Sequence, residues 1–172
     1  MNPDSFQKAI LFAAEAHASQ KFPGKDLPYF MHLAQVATEV MAAGCSELSV
    51  LCAWLHDTIE DTETTYETLQ GVFGVEVALG VLALTKNSEL PKEQRMADSL
   101  ERILQQPPDI ACVKMADRIC NLQCPPHYWT PEKIAEYREE ARQILAALGA
   151  SCPVLAQRLE EKIAAYPPPP SM

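Results

Sequence analysis

The sequence predicts an all-α fold, a single helical bundle, and three observations carry that prediction. Only six glycines occur in 172 residues, the composition is rich in Ala and Leu with few β-branched runs, and apolar residues recur at helical spacing. The apolar fraction of 48% and charged fraction of 22% are those of an ordinary globular chain. A chain of this length buries roughly two-thirds of its unfolded surface, so it needs no disulfide or structural metal to fold.

The elements follow in order. Ser5 is placed to cap a first helix with Phe6, Ile10, Ala13 and His17 on one face. The stretch 21–28, with Pro23, Gly24 and Pro28, breaks the pattern as a loop. A second helix, 30–43, places Leu33, Val36, Ala37, Val40 and Met41 inward and stops at Gly44. A third starts near Ser46 and carries Leu51, Trp54 and Leu55 up to His56-Asp57. Thr64 and Glu67 have capping-box spacing, so a helix begins there and ends at Gly74. Segment 75–86 is apolar almost all round, which predicts a helix at the centre of the bundle. Pro91 opens a charged helix that ends at Pro107-Pro108. Asp109 is placed to cap the next, where Ile110, Val113, Asp117 and Cys120 share a face, and Pro125-Pro126 closes it. Thr130-Pro131 joins a cap to a proline at the first helical position, for a helix to about 148. A last helix, 152–166, runs into prolines, and 167–172 reads as a frayed tail. With no repeat and no dividing linker, 5–166 is expected to form one domain.

Charge narrows the partners. Twenty-three acidic against 14 basic residues give a net charge of −9, which repels a phosphate backbone and argues against nucleic-acid binding. A polyanionic small molecule would need a local cation or a Lys/Arg cluster. The six cysteines include no C-x-x-C pair and sit mostly in apolar stretches, as reduced, buried thiols do. The N-terminus lacks a signal-peptide pattern. The most apolar window, 75–84, is interrupted by Glu76 and falls far short of the ~20 residues of a membrane span. The expectation is a cytoplasmic protein without a membrane partner; an Ala-rich bundle also allows a homodimer.

His56-Asp57-Thr58-Ile59-Glu60-Asp61-Thr62-Glu63 holds four carboxylates and a histidine with no Lys or Arg among them. If the third helix continues through it, Asp57 lies one turn from Glu60 and Asp61, where like charges repel. The segment directly follows an apolar run, and carboxylates gathered near a core need a cation or shifted pKa values. Acidic residues leading into the next helix explain Asp61 and Glu63. They do not explain His56-Asp57, whose donor types suit a divalent metal. His32 is a second candidate ligand, while His17 fits a packed core histidine better. Asp117 falls on the buried face of its helix, where an aspartate is paired or binds metal; adjacent Arg118 points about 100° away.

These residues resemble a known family. His32, His56-Asp57 and Asp117 match the H…HD…D ligands of HD-domain metal-dependent phosphohydrolases. The strings Pro28-Tyr29-Phe30-Met31-His32, Leu55-His56-Asp57-Thr58-Ile59-Glu60-Asp61-Thr62 and Val113-Lys114-Met115-Ala116-Asp117-Arg118-Ile119-Cys120-Asn121-Leu122 resemble the hydrolase domain of RelA/SpoT-type alarmone enzymes, over about 5–165. The resemblance implies a stand-alone small alarmone hydrolase similar to the metazoan SpoT homologues. It implies Mn²⁺ held by His32, His56, Asp57 and Asp117, with Glu60 and Asp61 as the catalytic acidic pair acting on the attacking water. The implied reaction removes 3′-pyrophosphate from (p)ppGpp, giving GDP or GTP. Alternatives are the same metal chemistry on pppApp, on the 2′-phosphate of NADPH or on another nucleotide, and a module that binds metal and nucleotide without turnover.

The sequence also departs from the family. Phe22 stands where the family usually has a phosphate-binding Arg, so Lys21 or Lys25 is expected to substitute, with poorer geometry than a guanidinium. Asn121 matches the family's nucleotide-contacting asparagine, Cys124 replaces a common threonine, and Lys86 and Tyr137 match pocket-lining positions.

Overall fold

Helix α1, Pro3–Ala16, begins where the Asn2 side chain accepts the backbone N–H of Asp4 at 3.0 Å. The cap is therefore Asn2, not Ser5. Pro3 holds the first helical position and draws the start three residues upstream, leaving Ser5 inside the first turn. The computed structural model describes residues 2–169, so Pro170, Ser171 and Met172 of the expected tail lie outside the described residues.

Helix α2, Phe30–Ala42, ends at Gly44, whose φ of 71° only glycine adopts readily. Helix α3, Glu47–Leu55, is capped by Ser46 as the sequence predicts. It does not run on through the acidic cluster: His56 and Asp57 break it, and α4, Thr58–Asp61, is a separate single turn. Helix α5, Tyr66–Phe73, is capped by Thr65, one residue later than expected. The Thr62 hydroxyl engages both the backbone N–H and the hydroxyl of Thr64, so Thr64 cannot serve as the cap. Helix α6 is Val75–Leu84, and α7, Arg95–Leu104, follows a 3₁₀ turn at Lys92–Gln94. Helix α8, Pro108–Asn121, starts after Pro107; Asp109 sits in its first turn and accepts the hydroxyls of Ser46 and Ser49 instead of capping. Helices α9, Pro131–Leu148, and α10, Pro153–Ala165, close the chain.

The centre of the bundle is α3 with α8, packed between α2, α6 and α10. Residues 49–55 of α3 are all buried, as is nearly all of α8. Helix α6 was expected there but lies to one side, with Val75, Leu79 and Leu82 each at least 40% exposed. It still approaches closely through Gly80, where an added Cβ would come within 2.6 Å of Ile110 and 2.9 Å of the Cys52 sulfur. Among the described residues there is no strand, and no helix is long and apolar enough to cross a membrane. All six cysteines are free thiols; Cys52, Cys112 and Cys120 are buried, Cys45 and Cys152 half-buried, and Cys124 is exposed, against the expectation that most are buried.

Candidate active site

The break after α3 builds the site. Because the helix stops at Leu55, His56 and Asp57 turn back toward α8 rather than continuing along one axis. His32 is in the first turn of α2 and Asp117 in the second half of α8. The His56 Nε2 lies 2.9 Å from Asp57 Oδ2 and 3.8 Å from Asp117 Oδ1, and the His32 Nε2 lies 3.3 Å from Asp117 Oδ1 and 3.7 Å from Asp57 Oδ2. Two imidazole nitrogens and two carboxylate oxygens thus face one point.

The surroundings fit a divalent cation at that point. His56 donates from Nδ1 to the Ala53 carbonyl at 2.9 Å, which leaves Nε2 to offer its lone pair. That nitrogen is buried and has no aligned hydrogen-bond partner. Burial alone would depress His56, but the Asp57 and Asp117 carboxylates and the Ala53 carbonyl bring its pKa up to about 9. Burial would likewise raise Asp57, yet the His56 imidazole holds it well below the usual carboxylate range. Asp117 is depressed against its own burial by His32, Lys114 and His56. Both carboxylates are therefore ionised at neutral pH, as metal ligands must be. The Tyr29 hydroxyl donates to Asp57 Oδ2 at 2.6 Å, and Asn121 donates to Asp117 Oδ1 at 2.5 Å.

The two acidic residues of α4 differ in surroundings. Both Glu60 oxygens are engaged by Lys86, through its backbone N–H at 2.9 Å and its ammonium at 2.6 Å. The Asp61 carboxylate takes no hydrogen bond among the described residues; burial, Asp57 and Glu60 raise its pKa. The Gln20 side chain, braced by His17, holds the Asp61 carbonyl and so fixes this turn.

Two clefts meet at Asn121 and Tyr137. One, of about 310 Å³, is lined by six cations, Lys86, Lys92, Arg95, Lys114, Arg118 and Lys133, against two acids, Asp117 and Glu140, in a protein of net acidic charge. The other, of about 180 Å³, is aromatic, with Phe22, Tyr29, Trp129, Tyr137 and Tyr166 around His32 and Lys25. Of the substrate-binding candidates, Lys86, Asn121 and Tyr137 line the basic cleft and Lys25 the aromatic one. Lys21 lines neither and pairs with Asp26 on the surface. Arg118 pairs with Glu140 at 3.1 Å and lies over the Tyr137 ring, whereas Asp117 meets Lys114 at 3.6 Å on its own helix. Sequence reasoning missed Lys92, Arg95, Lys114 and Lys133. Only Lys114 carried a signal, as the one cation in the apolar run 110–116.

A helical bundle that converges two histidines and two aspartates in this order defines a class, the HD-domain metal-dependent phosphohydrolases. The chain belongs to the HD-domain family, which it matches over residues 9–154. It is 33% identical over 161 residues to the guanosine-3′,5′-bis(diphosphate) 3′-pyrophosphohydrolase MESH1 of Danio rerio, covering 90% of this chain and 89% of that protein. The protein of the same name from Homo sapiens is 34% identical over 150 residues, 82% of this chain and 83% of its own. A guanosine-3′,5′-bis(diphosphate) 3′-pyrophosphohydrolase of Aquifex aeolicus is 31% identical over 83% of this chain, which spans 20% of that longer protein. Among solved structures, a metazoan SpoT ortholog that hydrolyses ppGpp superposes with a TM-score of 0.86 over 97% of this chain and 98% of its own, at 25% identity.

Proposed function

We propose that this chain hydrolyses the 3′-pyrophosphate of a guanosine alarmone, converting ppGpp or pppGpp to GDP or GTP plus pyrophosphate. The observation that carries this reading is the junction at Asp117, where the N₂O₂ centre opens onto a cleft of six cations. A nucleotide with clustered phosphates is what such a cleft attracts in a protein of net charge −9.

His32, His56, Asp57 and Asp117 would hold the ion, Mn²⁺ in this proposal. When bound, a divalent ion polarises a phosphoryl oxygen and lowers the pKa of a bound water. Asp61 takes the proton as the water oxygen bonds to phosphorus and the bond from phosphorus to the ribose 3′ oxygen breaks; that proton is returned to the leaving oxygen, giving the 3′-hydroxyl and free pyrophosphate. Glu60, fixed by Lys86, orients that water. Lys114, Lys92 and Arg95 receive the phosphates, and Asn121 positions Asp117. The purine lies in the aromatic cleft, against Trp129 and Tyr137. Residues 5–166 act as one hydrolase domain.

The test is a product assay with purified, Mn²⁺-loaded protein on ppGpp, pppApp and NADPH in parallel. GDP and pyrophosphate from ppGpp, formed faster than products of the other two, is the expected result. Faster turnover of pppApp or NADPH would move the substrate and keep the chemistry. No turnover of any, with the metal bound, would sink the hydrolase reading.

A further inference from the structure

Cys45, Cys112 and Cys152 come from three segments far apart in the chain. They lie in the turn between α2 and α3, in the second turn of α8, and at the residue that caps α10. Their sulfurs nonetheless lie within 4.8 Å of one another, and all three are free thiols. We propose that this trio is a thiolate site for a zinc ion, separate from the hydrolase centre.

Thiolate sulfur selects soft or borderline ions such as zinc over manganese, so the two sites would sort two metals by donor type. Sulfurs sharing a tetrahedral zinc at about 2.3 Å stand roughly 3.8 Å apart, so side-chain adjustment of about an ångström closes the trio. Cys112 is buried and Cys45 half-buried, so the trio lies at the edge of the core, and a water would serve as fourth ligand. Cys152 makes no side-chain capping bond to α10; its sulfur turns instead to Cys45 and Cys112. Burial and mutual proximity raise the Cys112 thiol, and burial chiefly raises Cys45, so these two stay protonated without a cation. A dication supplies the missing charge: zinc enters, three thiol protons leave, and no electron is transferred. Simple core packing does not account for the convergence; Cys52 and Cys120, also buried, belong to no such cluster among the described residues.

The placement gives the site a consequence. It ties the α2–α3 turn to α8 and α10, and α2, α3 and α8 lead to His32, His56-Asp57 and Asp117. Cys112 precedes Asp117 by five residues on α8, about 7.5 Å along the helix axis. Zinc here would brace the frame of the hydrolase centre without entering it.

The experiment titrates reduced, metal-stripped full-length protein with Co²⁺ as a spectroscopic substitute for zinc. The expected result is two equivalents bound, with a near-ultraviolet thiolate-to-cobalt charge-transfer band that the nitrogen and oxygen ligands of the hydrolase centre do not produce. Zinc should displace that band and protect three thiols from iodoacetamide. In Cys152→Ser, where serine is a good helix cap, the band should vanish while helical content and hydrolase activity stay at wild-type level. A single equivalent with no charge-transfer band, or a band that survives in both Cys152→Ser and Cys45→Ser, would overturn the site. So would zinc that leaves all three thiols open to alkylation.

Discussion

Lys86 grips both oxygens of the Glu60 carboxylate, one through its backbone N–H at 2.9 Å and the other through its ammonium at 2.6 Å. A carboxylate so occupied is a poor place to deposit a proton. Asp61, one residue on, has a free carboxylate whose pKa is raised by burial and by its acidic neighbours, Asp57 and Glu60. On the proposed mechanism the acidic pair would then divide into an orienting group and a proton acceptor.

Variants separate the two roles. Asp61→Asn should lower kcat by about 100- to 10,000-fold, the usual contribution of a general base, and retain stoichiometric metal. Lys86→Ala removes the ammonium, leaves Glu60 held by the backbone N–H alone, and should cost about 100-fold in kcat through a misplaced water. Metal analysis beside steady-state kinetics checks both. Wild-type kcat in Asp61→Asn would reassign the proton to Glu60.

Tyr29 supports the metal centre at one remove. Its hydroxyl donates to Asp57 Oδ2 at 2.6 Å and so aims the carboxylate. Tyr29→Phe should weaken divalent-metal affinity by about 10- to 100-fold, the usual effect of losing such a partner. With saturating metal, most of the activity should return. Unchanged affinity by calorimetry would show that Asp57 is aimed by other contacts.

The centre was legible in sequence because its signal is local. His56 and Asp57 end an apolar run with no cation nearby, and buried charges of that kind demand a reason. The basic cleft was legible only in part, at Lys86, Asn121 and Tyr137. Its cations come from the segment after α6, the 3₁₀ turn, α7, α8 and α9, and each alone looks like an ordinary charge on a polar helix face. For the other phosphate contacts sequence reasoning turned to Lys21 and Lys25, close in the chain to a family motif. The fold gives Lys21 to Asp26 and sends Lys25 to Gln123 at 2.7 Å. Helix starts were missed where a neighbour took the capping group, as Thr62 does to Thr64.

Protons and metal compete for His56. Its folded pKa of about 9 lies above the ordinary value of about 6.5, so its ion pairing stabilises the metal-free fold fully below about pH 6.5 and is lost as pH rises through about 9. Asp57 and Asp117 are depressed; their contribution is present above the ordinary carboxylate value and is lost only in acid. Metal must displace the His56 proton. Affinity should thus rise about tenfold per pH unit between 7 and 9 and level off above. The metal-free Tm should fall over the same range. Calorimetric titrations at pH 7, 8 and 9 test this, and a flat affinity would refute it.

Phe22 offers the most direct control over substrate. Its ring stands edge-on to His32, with centroids 5.9 Å apart at 84°, and so forms an apolar wall beside the metal centre where an arginine would present a guanidinium. The loop that carries it is held by the Phe22 N–H bonding to the Leu27 carbonyl at 2.8 Å, a backbone contact that a substitution at 22 retains. Phe22→Arg should therefore leave the fold intact and add one charge-assisted contact to a 3′-diphosphate. A gain of about 1.4 kcal/mol, slightly below the usual range for such a bond, lowers KM for ppGpp about tenfold. Substrates with a single ribose phosphate should gain less, because arginine's paired donors suit clustered phosphate oxygens. Phe22→Met keeps an apolar wall of similar size and should leave KM where it was. If Phe22→Arg raises KM for ppGpp while Phe22→Met preserves it, position 22 contacts the nucleoside rather than its phosphates, through an apolar surface that does not need a ring.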